Sequence, residues 1–253
     1  MRNILSIVHY EYKMQIRRIA TWGVFVAAVA FSLLDDFPSG GNLHRLDFLS
    51  DPVYFVYRTM SLGGLPMAFG LMILLSNRFS IDCKTGVKSL IMAGPTTKAQ
   101  YILGKLIGGF CYTVTVFSLF LAVNALAYYM AAPFPVSMRN ILTAIVKTII
   151  ICVLPVSVFV SFLSVSLPAW MDVRLFYAMA AILFLINAST TGSAEQMPFY
   201  CITSGDLVRL IWRHPKFPFE NLRSIWGNLV FLTGSGWLSL LPLLAKKRFW
   251  RHE

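Results

Sequence analysis

Residues able to do chemistry are few in this 253-residue chain, and they are scattered. The four histidines, His9, His44, His214 and His252, show no HExxH pattern and no helical pairing. The ligand set of a zinc hydrolase is therefore missing. Cys83, Cys111, Cys152 and Cys201 form no CxxC pair, which argues against a metal or disulfide framework. Gly104-Lys105 ends like a phosphate loop, but Leu106 stands where a Ser or Thr must meet magnesium, and Ala99 replaces the earlier glycine. The glycine pairs in GGNLH and SLGGL lack a phosphate-loop context, and no serine is marked as activated. We expect no catalytic residue, no metal and no cofactor on the chain itself.

Polar groups at membrane depth are the remaining candidates, because a charge there is costly and serves function by default. Arg58 and Lys147 both fall near the predicted outer borders, where a long side chain can also snorkel to water. Asn124, Asn187 and Thr113 can bond between helices or line a path. Asn124, Asn187 and Arg58 are the candidate pathway residues. A buried acidic relay is not evident, which argues against a carrier driven by protons or sodium.

The elements that must hold these residues are membrane helices. Hydrophobic residues make up 57% of the chain and charged residues 13%, about half the charge of an ordinary soluble domain. Continuous apolar runs exclude a β-barrel, whose strands would alternate over about ten residues. The expected fold is an all-α integral membrane protein, one domain over 1–253, with six spans at 20–34, 53–76, 106–130, 148–167, 175–190 and 224–245. Gly63, Gly64, Pro66 and Gly70 predict a kink or close contact in span two. Residues 136–147 read either as an interfacial helix or as the outer end of a long span four. Residues 1–19 form an amphipathic interfacial helix, with Ile4, Ile7, Val8, Tyr12 and Ile16 on one face. Glu11, Lys13, Arg17 and Arg18 supply its polar positions. Residues 191–223 are an outer loop, possible as a re-entrant segment.

Six spans put both termini on one side, together with the polar insert 78–105. That side then holds 14 of the 22 Lys and Arg and 4 of the 11 acids, and the other side holds 8 and 7. The basic excess orients the termini and the insert toward the cytoplasm. It also accounts for the net charge of +11 without a nucleic-acid partner. The location expected is the plasma membrane, with lipid as a constant partner.

The insert carries the most specific pattern. It reads Asp82-x-Lys84-Thr85-Gly86-x-x-x-Leu90, then Pro95-Thr96-Thr97-x-x-x-Tyr101-x-x-Gly104-Lys105, between spans two and three and after an amphipathic N-terminal helix. This layout resembles the ABC-2 type permease family of ABC transporters, in full length for the arrangement and over about 30 residues for the motif. The resemblance implies that 1–19 is an elbow helix (Glu11, Tyr12, Lys13, Arg17) and that Val87 to Ala93 is a coupling helix docking on an ATPase. Asp82, Lys84, Gly86, Val87, Lys88, Leu90, Ile91 and Pro95 would make that contact, with Gly86 allowing the approach and Pro95 ending the helix. The chain has no nucleotide-binding domain. The implied assembly is thus a half-size bacterial permease with a second permease chain, identical or related, and separate ATPase subunits that hold ATP and Mg. The implied activity is export of a hydrophobic or peptide-like substrate. The rival readings are a secondary, ion-coupled transporter and a membrane anchor or sensor for an ATPase.

Overall fold

The structure is a computed structural model that describes residues 2–46, 48–94, 96–190, 207, 210–212 and 222–245. Among these, every regular element is helical. Helix α1 (Arg2–Ile16) leads into α2 (Ile19–Asp36), and the short α3 (Gly40–Arg45) follows. Helix α4 (Pro52–Arg58) continues through a π-turn, Thr59–Gly63, into α5 (Gly64–Leu75). The insert forms α6 (Arg78–Lys84) and α7 (Val87–Ala93) before the long α8 (Lys98–Ala131). Helix α9 (Met138–Thr148) continues through a second π-turn, Ile149–Val153, into α10 (Leu154–Ser166); α11 (Val173–Thr190), α12 (Leu222–Leu238) and α13 (Leu240–Ala245) are the remaining α-helices among the described residues.

Among the described residues, five helical stretches are long and apolar enough to cross a membrane: Ile19–Asp36, Pro52–Leu75, Lys98–Ala131, Met138–Ala169 and Ile225–Ala245. The expected fifth span, 175–190, coincides with α11, whose apolar part, Val173–Ala188, is shorter than the other five. Residues 138–169 form one continuous helical stretch, so the segment before span four runs into it without a break. The expected outer loop, 191–223, lies outside the described residues except at 207, 210–212 and 222–223, as does the basic tail 246–253. Of that loop, Leu207, Ile211 and Trp212 are buried. The Trp212 ring sits 4.7 Å from Tyr54 and donates its indole N–H to Asp51 Oδ2 at 2.8 Å.

The polar insert ends earlier than its charge pattern predicts. Thr97 and Gln100 form a reciprocal capping box, which starts α8 at Lys98 and absorbs 98–105 into the third span's helix. The two π-turns precede Pro66 and Pro155, with the Gly64 N–H bonding to Thr59 O and the Leu154 N–H to Ile149 O. A proline lacks an N–H and crowds the carbonyl four residues back, and a locally wider turn relieves that conflict. The irregularity expected in span two takes the form of the π-turn at Thr59–Gly63.

Core packing centres on α10, buried on nearly every face by α5, α8 and α12. Phe117, Phe120, Val156, Phe159 and Val160 fill it, with Leu71, Met72 and Leu75 from α5. The closest backbone approach lies elsewhere, between α1 and α8. A Cβ on Gly104 would fall 2.7 Å from Ile7 Cγ2, and one on Gly108 would fall 2.7 Å from Glu11 Cβ. Small residues four apart let two helices meet nearly backbone to backbone, so α1 is seated on α8 through its buried face. Leucine at position 108 should unseat it. We expect Gly108→Leu to abolish the monodisperse peak of detergent-solubilised protein on size-exclusion chromatography. Gly23→Leu, at a position with nothing within 4 Å, should retain that peak.

Candidate functional site

Gly86 divides the insert into two parts with different surroundings. It adopts φ +72°, the left-handed region that a Cβ disfavours. The chain turns there from α6, whose Arg78, Phe79 and Asp82 are buried, to α7, which packs Ile91 on the core and leaves its other side exposed. On α7, Val87, Lys88 and Ile91 are partly buried, whereas Leu90 is 74% exposed. Lys84, at the end of α6, is exposed as well. Pro95 lies outside the described residues.

At the root of the insert lies a buried ion cluster. Glu11 of α1 receives the Arg78 guanidinium on both oxygens, with Nη2 at 3.0 Å from Oε2 and Nε against Oε1. Lys105 Nζ donates to Glu11 Oε2 at 3.0 Å and to Asp82 Oδ2 at 2.6 Å. Tyr101 donates its hydroxyl to the same Asp82 oxygen at 2.5 Å, and Gln15 Nε2 donates to Glu11 Oε1 at 3.1 Å. The Lys105 ammonium also lies 5.5 Å from the Tyr101 ring centroid and 5.8 Å from that of Phe79. None of the four charged residues is more than 3% exposed. Two carboxylates thus meet two cations out of water, which is tolerable only because each charge is paired.

Burial alone would raise the Glu11 carboxyl; Lys105 and Arg78 outweigh it and hold Glu11 below its ordinary value. Nothing in the cluster is poised for proton transfer to a substrate, since every charge is spent on a neighbour and closed off from solvent. Its capacity is mechanical. It fastens the N-terminal helix, the root of the insert and the start of α8 into one unit.

Two expectations are corrected here. Asp82 was expected among the outward docking charges, but it points inward to Lys105 and Tyr101, because a buried ammonium needs a second carboxylate. Glu11 was expected on the polar face of an interfacial helix, yet it is the anchor of that helix on α8. On the remaining elbow positions, Tyr12 is partly buried, while Lys13 and Arg17 are exposed one turn apart.

At the other end of the bundle, Arg58 neither snorkels nor stands alone. Its Nε bonds Asp36 Oδ1 at 2.5 Å and its Nη2 bonds Asp35 Oδ2 at 2.5 Å, while Arg45 holds Asp35 Oδ1 at 2.7 Å. Asn124 and Asn187 are both fully buried. Sequence reasoning missed Arg78 and Lys105 as partners of Glu11, and Tyr101 as a partner of Asp82. Two signals were present: Glu11 is the one acid in the first 34 residues, and Gly104-x-x-x-Gly108 marks a close helix contact beside Lys105.

Lys105→Met leaves two carboxylates facing an apolar side chain. Breaking a buried pair this way typically costs about 3–5 kcal/mol; the joint Lys105→Met/Asp82→Leu variant should recover part of the loss. Thermal unfolding in detergent reads both, and strict additivity would show the pair to be uncoupled. The pH dependence follows from the lowered Glu11 carboxyl. Its stabilisation is complete above the ordinary glutamate range and is lost as pH falls through the depressed folded value, so the cluster should hold at neutral pH and weaken only in acid below that ordinary range. Comparison with protein-family models, characterised proteins and solved structures finds no match for this chain.

Proposed function

We propose that the chain is the membrane-spanning subunit of an ATP-driven exporter of the ABC-2 type, moving a hydrophobic or peptide-like substrate. The observation that carries this reading is α7: a short helix that rests Ile91 on the core and turns Leu90 outward, on a root tied to α1 and α8 by paired buried charges. Leu90, 74% exposed beside the exposed Ser89, gives a partner an apolar contact on this helix. A rigid root is what a lever needs, since a flexible insert would dissipate a push before it reached the spans. In this reading α11 makes a sixth crossing and both termini and α7 lie in the cytoplasm. Two permease chains work with separate ATPase subunits that hold the ATP and Mg. The chain's own work is to convert closure of the ATPases into a shift between two arrangements of its helices.

Docking predicts that Leu90→Asp removes the contact without harming the fold, since Leu90 supports no core. The variant should purify at wild-type yield but lose the ATPase that co-purifies with the wild type, and lose substrate-stimulated ATP hydrolysis in proteoliposomes. Unchanged stimulation would reject α7 as the docking element. The orientation has its own test. In a chain freed of its native cysteines, an impermeant maleimide should label His44→Cys in intact cells and label Ser89→Cys only after permeabilisation, and the opposite pattern would invert the topology.

A further inference from the structure

A cavity of about 440 Å³ lies between the long helical stretch 138–169 and residues 210–211, lined among the described residues by Lys147, Ile151, Leu210 and Ile211. Its volume falls in the range of small-ligand pockets, about 300–1,000 Å³. Lys147 and Ile151 are one turn apart and share a face of their helix. The opposite wall is fastened on both sides. Leu207 O meets the Cys152 thiol at 3.9 Å, and the Trp212 indole N–H donates to Asp51 Oδ2 at 2.8 Å. Ile211 is buried, Ile151 and Leu210 are partly buried, and Lys147 is exposed. The cavity thus combines an aliphatic floor with one cation at its rim.

That cation is unusual in this chain. Arg58, Arg78 and Lys105 are each neutralised by a carboxylate, whereas Lys147 takes part in none of the ion pairs or side-chain hydrogen bonds among the described residues. Its depth follows from helix geometry. A stretch of 32 residues is about 48 Å long, against a hydrocarbon core of about 30 Å. With the stretch centred in the bilayer, Lys147 falls about 5 Å inside the edge of that core, within side-chain reach of the headgroup layer.

A charge at this depth is met by a partner or carried to the interface. Snorkelling accounts for the lysine by itself but not for the aliphatic cavity beside it. An ammonium selects an anion, and three aliphatic side chains select hydrocarbon, so the two together fit an acidic amphiphile. We propose that the cavity binds one anionic phospholipid, with the phosphate on Lys147 and an acyl chain against Ile151, Leu210 and Ile211. A zwitterionic lipid offers the same chain, but its own ammonium competes with Lys147 for the phosphate. The site lies inside one subunit and does not rest on the export reading.

The test uses the purified full chain in detergent, titrated with phosphatidylglycerol or with phosphatidylcholine of the same acyl chains. Native mass spectrometry counts the lipid retained. Phosphatidylglycerol should saturate near one molecule per chain at concentrations where phosphatidylcholine does not. Lys147→Gln breaks no ion pair and should keep the wild-type peak on size-exclusion chromatography. It should raise the half-saturating phosphatidylglycerol concentration about tenfold, as the loss of one charge-assisted contact does. Ile151→Trp, which fills part of the floor, should weaken retention as well. Arg139→Gln, two turns earlier on the same helix and not among the lining residues, should leave it unchanged. Equal retention of both lipids by the wild-type chain, or equal weakening by Lys147→Gln and Arg139→Gln, would overturn the proposal and leave Lys147 as a general surface cation. Tighter binding of oleate than of phosphatidylglycerol would reject a phospholipid as the occupant.

Discussion

The rest of the insert depends on one constraint: Glu11 is buried, so it must be neutralised where it lies. Arg78 and Lys105 do this from different elements, and Lys105 needs Asp82 as a second partner because one carboxylate cannot satisfy two buried cations. The chain of requirements fixes α1, α6 and α8 relative to one another. It also explains the glycines, since Glu11 reaches the cluster only if its helix backbone lies against α8 at Gly104 and Gly108. Charge and close packing are here two halves of one joint. Beyond Gly86 the constraint ends, and α7 is free to present Leu90 outward.

The two ends of the bundle follow the same rule with different parts. At the insert end the cations come from α6 and α8 and the acids from α1 and α6. At the far end both acids close α2, and Arg58 reaches them from the second span. Between the ends, the buried polar groups are neutral ones such as Ser157, Ser161 and Thr113, compatible with an apolar surround when they bond their own helix or sit at small-residue contacts. The π-turns at Thr59–Gly63 and Ile149–Val153 lie between the clamped ends.

Much of this was legible in the chain as written. Apolar runs located the helices, and the Gly86 break with the Val87–Ala93 run located α7. What could not be read was partnership. Asp82, Lys84 and Lys88 look alike as charges on a short insert, and only the position of Lys105 after a capped helix start separates the inward one from the rest. Glu11 sits among basic residues that suit a lipid interface, so its composition argues for exposure while its neighbour Gly108, almost a hundred residues away, dictates burial. The start of α8 was masked for the same reason: Lys98, Gln100 and Lys105 make a helix end look like a polar loop until the capping box is seen. Arg58 shows the converse. Asp35 and Asp36 read as the stop of a span, and nothing local announces that a later helix will return an arginine to them.

These pairings bear on the proposed orientation. A count of basic residues treats each cation as available to the lipid surface, yet Arg78 and Lys105 are sequestered on one side, and Arg45 and Arg58 are tied to acids on the other. Removing them leaves twelve against six, a stronger ratio than fourteen against eight. The net charge of each side is unchanged, because each cluster removes two acids with its two cations. The bias that orients the chain therefore does not rest on the charges that hold it together. Residues that fasten helices and residues that face the membrane are separate sets, so the insert can be locked to α1 and α8 without weakening the basic bias behind the proposed orientation.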